Sequence, residues 1–392
     1  MKNNVSIIGI GQTAVGEHWD VSLRHLAWQA IEAALDDAAA NGIDAINEIE
    51  AIYVGNMLGG VSSQQDHLGA LVADYAGLRG VEAVTVEAAE ASGAAAVRQA
   101  VMAVLSGQVK VAMAIGVEKT TDETGSESLR SQSSSLDADF EIIHGATPAA
   151  MAGLMMQRYM HEHKVELANF AGFSVNAHAN GANNPKAMFR NRLKAEKFPA
   201  APLVADPVNL FDAAPVGDGA AAVIITSTEY AAEAQARNVV NIIGSAMATD
   251  AFSLHDRQDP LWLEAVAKST ERALAQAGIG REEVDLIELH DSFTIMSTLA
   301  LEAMGFAEQG NGWQLAQENK IMKDGTLPIS TFGGLKARGN PIGATGVYQI
   351  AEVAQQLRGQ AGDNQIAEAQ IGLAQNIAGT GGTVVTHVLQ TA

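Results

Sequence analysis

The chain has no cysteine anywhere in its 392 residues. That absence removes disulfides, thiolate metal sites and any cysteine nucleophile. Positive charge is scarce: 24 Lys and Arg stand against 45 Asp and Glu, a net of −21. A field of that sign disfavours nucleic acid and anionic membranes as partners, yet leaves room for a local cationic groove around a phosphate-bearing cofactor. No stretch reaches 18 consecutive apolar residues, so no membrane-spanning helix is expected. The opening residues, MKNNVSIIGIG, run straight into a strand pattern rather than a secretory leader. A soluble cytoplasmic protein is expected. Hydrophobic residues at 47% and charged ones at 18% describe a well-buried globule, long enough for two intimately packed domains or one duplicated fold. The 38 glycines fall mostly at element junctions, implying many close backbone approaches.

Apolar β-rich runs alternate with helical patterns. VSIIGI (5–10) reads as a buried strand, residues 22–39 as an amphipathic helix with Ser22 as N-cap, and 50–54 as a strand. A helix near 66–76, a strand at 83–87, a helix over 93–106 and a strand over 109–117 follow. Strands buried on both faces and separated by helices point to an α/β fold with a parallel or mixed sheet. The series then recurs: VVNIIGS (239–245) repeats VSIIGIG, residues 262–277 repeat the first helix, EVDLIEL (283–289) repeats the second strand, and 346–357 take the place of the helix after Glu90. An offset that long indicates a duplicated domain. The expected division is 1–119 for the first part of the N-terminal half, 120–232 for an inserted loop domain with the return to that half, and 233–392 for the C-terminal half. Within the insertion, the basic stretch holding Lys186, Arg190, Arg192, Lys194 and Lys197 is conspicuous on so acidic a chain. It reads either as a solvated helix face or as a site for the phosphates of a large anionic cofactor.

Four polar and glycine-rich clusters fall at predicted strand ends. They are Glu90-Ala91-Ser92-Gly93, Leu289-His290-Asp291-Ser292-Phe293-Thr294, GGLKARGNPIGATG (333–346) and GLAQNIAGTGG (372–382). With SIIGIGQT, AIYVGNM, GATPAAMAGLMMQRYM, LFDAAPVGDGAAAVI and TDAFSLHDR in order, nearly the whole chain resembles the thiolase superfamily, of the archaeal or sterol-carrier type with a His-Asp-x-Phe motif. The resemblance implies a five-layered α-β-α-β-α sandwich, a loop domain covering coenzyme A as a substrate moiety rather than a resident cofactor, and at least a dimer. It also implies, as one possible partner, a small protein with a zinc ribbon and an OB fold. By the same resemblance, His290 and the residue at 340 serve one oxyanion hole, backbone N–H groups near Gly379 and Gly381 serve the other, and Arg190, Arg192, Lys194 and Ser253 face the cofactor.

Two positions depart from that pattern. Glu90 stands where the family's cysteine is expected, and Asn340 where the His of Gly-His-Pro is expected. A carboxylate is a poor acyl carrier, because attack on a thioester gives a reactive mixed anhydride. A helix N-terminus lowers a carboxyl pKa while burial raises it, so the sequence leaves both outcomes open. Asn340 can still donate from its amide, although it cannot exchange a proton. Three functions fit these changes. The first is C–C cleavage or formation on coenzyme A thioesters without an acyl-enzyme, with Glu90 as base and His290 and Asn340 on the enolate oxygen. The second is a silent subunit whose Glu90 caps the helix N-terminus. The third is decarboxylation of a malonyl-type thioester, which the Glu90 charge opposes.

A structural core histidine is the readier fit for His144, which is otherwise the best second proton carrier. His161-Glu162-His163 lacks metal-site spacing, and no metal is expected. Gly9-x-Gly11 lacks the third glycine of a dinucleotide fingerprint and reads as a tight turn. Met155, Met156 and Met160 share a helical stripe that suits either core or an acyl channel. Asp212 and Asp218 read as turn supports.

Overall fold

The structure, a computed structural model, describes residues 5–392. Met1–Asn4, which belong to the stretch read against a leader, lie outside the described residues. Nine strands form the large sheet: β1 (Val5–Gln12), β2 (Ile49–Gly55), β3 (Glu82–Val86), β4 (Val111–Glu118), β5 (Gly219–Ser227), β6 (Val240–Thr249), β7 (Leu286–Glu288), β8 (Ile371–Ala378) and β9 (Thr383–Thr391). Their spatial order is β3-β2-β4-β5-β1-β6-β9-β8-β7. The expected duplication is visible in that order, because β6, β9, β8 and β7 repeat β1, β5, β4 and β2 outward from the centre. The counterpart of β3 shrinks to a single bridge, Ile287 to Ile329, beside Pro328, which has no N–H for a ladder. The halves join through three antiparallel pairs between β1 and β6, at Val5, Ser6 and Ile7.

The longer helices are α1 (Leu23–Ala40), α2 (Leu68–Tyr75), α3 (Ser92–Leu105), α4 (Pro148–His163), α5 (Ala171–Gly181), α6 (Glu264–Ala277), α7 (Thr294–Ala303) and α8 (Thr345–Leu357). Ser22 caps α1, its hydroxyl accepting from His25 N. Helices α1 and α2 cover the outer face of the N-terminal strands and α6 that of the C-terminal strands, while α3 and α8 pack between the two faces. This is the five-layered arrangement. The two central helices meet on glycine: a Cβ on Gly93 would lie 2.7 Å from the Gly343 carbonyl, and one on Gly346 would lie 2.3 Å from Ala94 N. Only bare backbone permits that approach.

Gly9 and Gly11 are not in a turn. Both sit inside β1, where added Cβ atoms would lie 2.4 Å and 2.1 Å from the Ala34 and Ala30 carbonyls of α1. The glycines serve close helix-on-strand packing.

Between β4 and β5 the chain leaves the sheet. The excursion holds α4, α5 and a small ribbon, Leu203–Ala205 with Val208–Asn209. Met155, Met156, Tyr159 and Phe170 bury themselves against Ile287, Met296 and Leu299 of the C-terminal half. The Tyr159 hydroxyl donates to Glu302 Oε1 on α7 at 2.6 Å. The insertion therefore sits over the ends of the strands where the polar clusters emerge. The basic stretch is not a helix face: 186–194 is irregular, followed by a short 3-10 turn at Ala195–Lys197.

Candidate active site

Four turns converge under the insertion. The β3-to-α3 turn is strained, with Ala89 at φ +49°, and Ser92 pins it by accepting from Ala88 N at 2.9 Å while donating to the Ala89 carbonyl. Strain of this kind persists only where surrounding structure enforces it. The result is that Glu90 projects off the turn. The 339–344 turn is held by Asn340 N donating to the Pro215 carbonyl (2.8 Å) and Gly217 N donating to the Asn340 carbonyl (3.1 Å). It too is strained, with the β-branched Ile342 at φ +35°. The β7-to-α7 turn supplies His290 and Ser292. The hairpin between β8 and β9 supplies Gly379 at φ +54°.

Glu90, His290, Ser292, Asn340, Gly379 and Thr380 line one inner cavity of about 70 Å³, closed by apolar walls that include Met155, Phe293 and Met296. Glu90 Oε2 accepts the Gly379 N–H at 2.7 Å, and Oε1 accepts the Ser135 hydroxyl at 2.9 Å. Both of these donors lie on segments other than α3. Burial nevertheless pushes the Glu90 carboxyl above its ordinary range, against the lowering pull of those two donors and its own backbone, with nearby Glu87 adding to the rise. Desolvation therefore wins over hydrogen bonding.

His290 is buried, and burial together with the positive Arg338 pushes it down to about 3, so the imidazole is neutral. Asn376 Nδ2 sits 2.8 Å from His290 Nδ1. In the amide orientation present, Nδ1 accepts and the ring proton stays on Nε2, free to donate into the cavity. Asn340 Oδ1 accepts from Ile342 N (3.1 Å) and Thr345 Oγ1 (2.8 Å). That fixes the amide so that its NH2 is the part left for the cavity. Asp291 accepts Leu335 N at 2.7 Å and so ties the His290 turn to the 333–338 segment. Among the described residues that line the inner cavity, Glu90 and His290 are the titratable ones. A neutral His290 carries no spare proton, which leaves Glu90.

An outer cavity of about 570 Å³ shares Gln132, Pro148, Ala214 and Phe293 with the inner one. Arg192, Lys197 and Lys336 are its cations, set among Leu210, Phe211 and Phe189. Of the basic cluster, Arg192 and Lys197 line this cavity; Arg190 and Lys194 are exposed elsewhere. Lys186 points inward, donating to the Gln12 carbonyl at 2.8 Å.

The structure brings Glu90, His290, Asn340 and Gly379 together and leaves other candidates out. His144 is exposed on a 3-10 turn and lines neither cavity. Gly381, at φ +108°, packs on Leu263 and Arg257 instead. Ser253 is buried, its hydroxyl given to Asp137 Oδ2 at 2.7 Å. Met155 reaches the inner cavity while Met156 stays in the core. Asp218 accepts from Thr120 N, Thr121 N and His18 N, and Asp212 from Asn209 N and the Thr294 hydroxyl; both hold turns. Sequence reasoning missed Ser135, which lies in an unpatterned serine run, and Asn376, whose only signal was its place in the last glycine-rich cluster.

The fold is that of the thiolase family. The model for the thiolase N-terminal domain matches residues 5–229 and that for the thiolase C-terminal domain-like region matches 246–391, and the chain belongs to this family. An acetyl-CoA acetyltransferase of Methanothermobacter thermautotrophicus is 40% identical over 98% of this chain and 99% of that one. The benzoylsuccinyl-CoA thiolase subunit BbsB of Thauera aromatica is 30% identical over 93% and 92%. Among solved structures, the Ltp2-ChsH2(DUF35) aldolase aligns with a TM-score of 0.84 over 99% of this chain and 98% of that chain at 22% identity, a likeness of fold. No helix among the described residues is long and apolar enough to cross a membrane.

Proposed function

We propose that this thiolase-family chain cleaves or forms a C–C bond in coenzyme A thioesters without an acyl-enzyme. The observation that carries the proposal is that Glu90, the one group able to hold a proton, shares a cavity with two fixed donors, His290 Nε2–H and the Asn340 amide. In the cleavage direction, the Glu90 carboxylate takes the hydroxyl proton of a β-hydroxyacyl thioester. The Cα–Cβ bond breaks, a carbonyl product forms, and the electron pair moves onto the thioester oxygen as an enolate held by the two donors. Glu90 then returns the proton to the enolate carbon. The coenzyme occupies the outer cavity, its phosphates near Arg192 and Lys197. The relatives' names, which carry acetyl-CoA and benzoylsuccinyl-CoA, support a thioester substrate. A second copy of the chain and a small zinc-ribbon and OB-fold partner complete the reading, in a cytoplasmic setting. The similar solved aldolase is itself named for a pair, Ltp2 with ChsH2(DUF35).

The test is to incubate the protein with β-hydroxyacyl-CoA thioesters and measure the carbonyl product and the shortened thioester. Glu90→Ala is expected to lower the rate by about 10²-fold or more; unchanged turnover removes Glu90 as the base. One observation favours a second reading, a silent subunit: both Glu90 oxygens already have protein donors, as a structural plug would. Inactivity alone, together with co-purification with a cysteine-bearing paralogue, would establish it.

A further inference from the structure

We infer that Ser135 is a proton relay connecting Glu90 to a second, separate cleft, so that the carboxyl exchanges its proton without crossing the substrate cavity. The inference rests on Glu90 acting as the base. Ser135 is buried, the last residue of the 3-10 turn Ser133–Ser135. Its hydroxyl lies 2.9 Å from Glu90 Oε1 and 3.3 Å from the Gln132 carbonyl. One hydroxyl has a single proton and two lone pairs. Toward a carboxylate it donates. Toward a carboxylic acid it accepts, and its own proton turns to the Gln132 carbonyl. Oε2 is already occupied by the Gly379 N–H, so the shared proton belongs on Oε1, the oxygen that faces Ser135. Both protonation states of Glu90 are therefore satisfied by the same serine.

Behind this pair lies a cleft of about 220 Å³ lined by Glu87, Ser134, Ser135, Phe252, Gly379 and others, but not by His290 or Asn340. Gly379 and Thr380 belong to both spaces and form the wall between them. A Cβ on Gly379 would lie 3.0 Å from the Ser135 carbonyl, which keeps that wall thin. In the relay, Glu90 Oε1–H passes its proton to Ser135 Oγ as the serine's original proton leaves to water in the cleft or to the exposed Glu87 carboxylate. One proton enters, one leaves, and Glu90 ends as the carboxylate.

The experiment compares wild type, Ser135→Ala and Ser135→Thr in D2O. Acetyl-CoA is the probe, and mass spectrometry reads deuterium entering its methyl group. In the absence of substrate, the infrared carboxyl band of Glu90, assigned with Glu90→Gln, is titrated in parallel. Ser135→Ala is expected to slow wash-in by about tenfold or more, because the abstracted proton returns instead of exchanging. It should also raise the Glu90 midpoint by about one pH unit through loss of a charge-assisted hydrogen bond. Ser135→Thr restores both. Equal wash-in in Ser135→Ala, or an unmoved midpoint, overturns the relay. Absence of wash-in in the wild type instead refutes the base role of Glu90, and the midpoint then decides on its own whether Ser135 governs the carboxyl.

Discussion

Asn340→Asp is close to isosteric, and it separates two jobs that the amide performs at once. The Oδ1 acceptor that fixes the turn through Ile342 N and Thr345 Oγ1 is retained, so the strained Ile342 at φ +35° stays supported. What changes is the other atom, where a donating NH2 becomes an acceptor oxygen facing the developing enolate. Removing one oxyanion donor costs about 3 kcal/mol, and about 1.4 kcal/mol is a tenfold change in rate. The expected fall in kcat for thioester cleavage is therefore on the order of 10²-fold, with repulsion between two carboxyl groups on one small cavity adding to it. Asn340→Ala should lose the donor and the turn together, lowering both kcat and the thermal midpoint, whereas Asn340→Asp, which keeps the turn but buries a carboxyl, should lower the midpoint less. Steady-state assay of the carbonyl product alongside differential scanning calorimetry checks both. A kcat for Asn340→Asp within about threefold of wild type would refute the assignment of the amide as an oxyanion donor.

Other outcomes follow from the same geometry. Replacing Arg192 and Lys197 together by Glu should raise KM for acyl-CoA with little change in kcat, and the effect should shrink as salt rises, while Arg190→Glu, exposed outside the cavity, should not. Gly11→Ala forces a methyl to within 2.1 Å of the Ala30 carbonyl, so a loss of about 2–3 kcal/mol is expected from denaturant unfolding; a neutral effect would mean that α1 is not seated on β1 as described. Stability should also fall as pH rises from about 6.5 to about 7.5. There, burial raises Glu118 and Glu352 from 4.5 to about 7, so the folded chain holds protons that the unfolded chain has released. Below about 6.5 the buried His290 and His387, held down to about 3 and about 4, act in the opposite sense, since the unfolded chain binds their protons more readily. Urea titrations across that range would contradict the sign if stability climbed between pH 6.5 and 7.5.

The sequence by itself determined the alternation of strands and helices and its duplication. Apolar runs of strand length and amphipathic runs of helix length follow from periodicity, which is a local property. Ser22 as a cap and the turns at Glu90, His290 and Asn340 follow from residue type at a strand end. It also determined that no thiol chemistry is available, while the resemblance to thiolases implied that Glu90 and Asn340 belong to one site. Tertiary structure decided everything that depends on what surrounds a side chain. Burial raises the Glu90 carboxyl against donors on other segments, and those donors come from Ser135 and Gly379, 45 and 289 residues away. The same enclosure keeps His290 neutral, so that it serves as a hydrogen-bond donor. It hides Ser253 under Asp137 and leaves His144 exposed. Gly9 and Gly11 show the limit most plainly, because a glycine in a turn and a glycine under a helix read alike until the helix is in place. Charge, period and turn chemistry are written along the chain, whereas desolvation and hydrogen-bond partners exist only between segments that the fold has brought together.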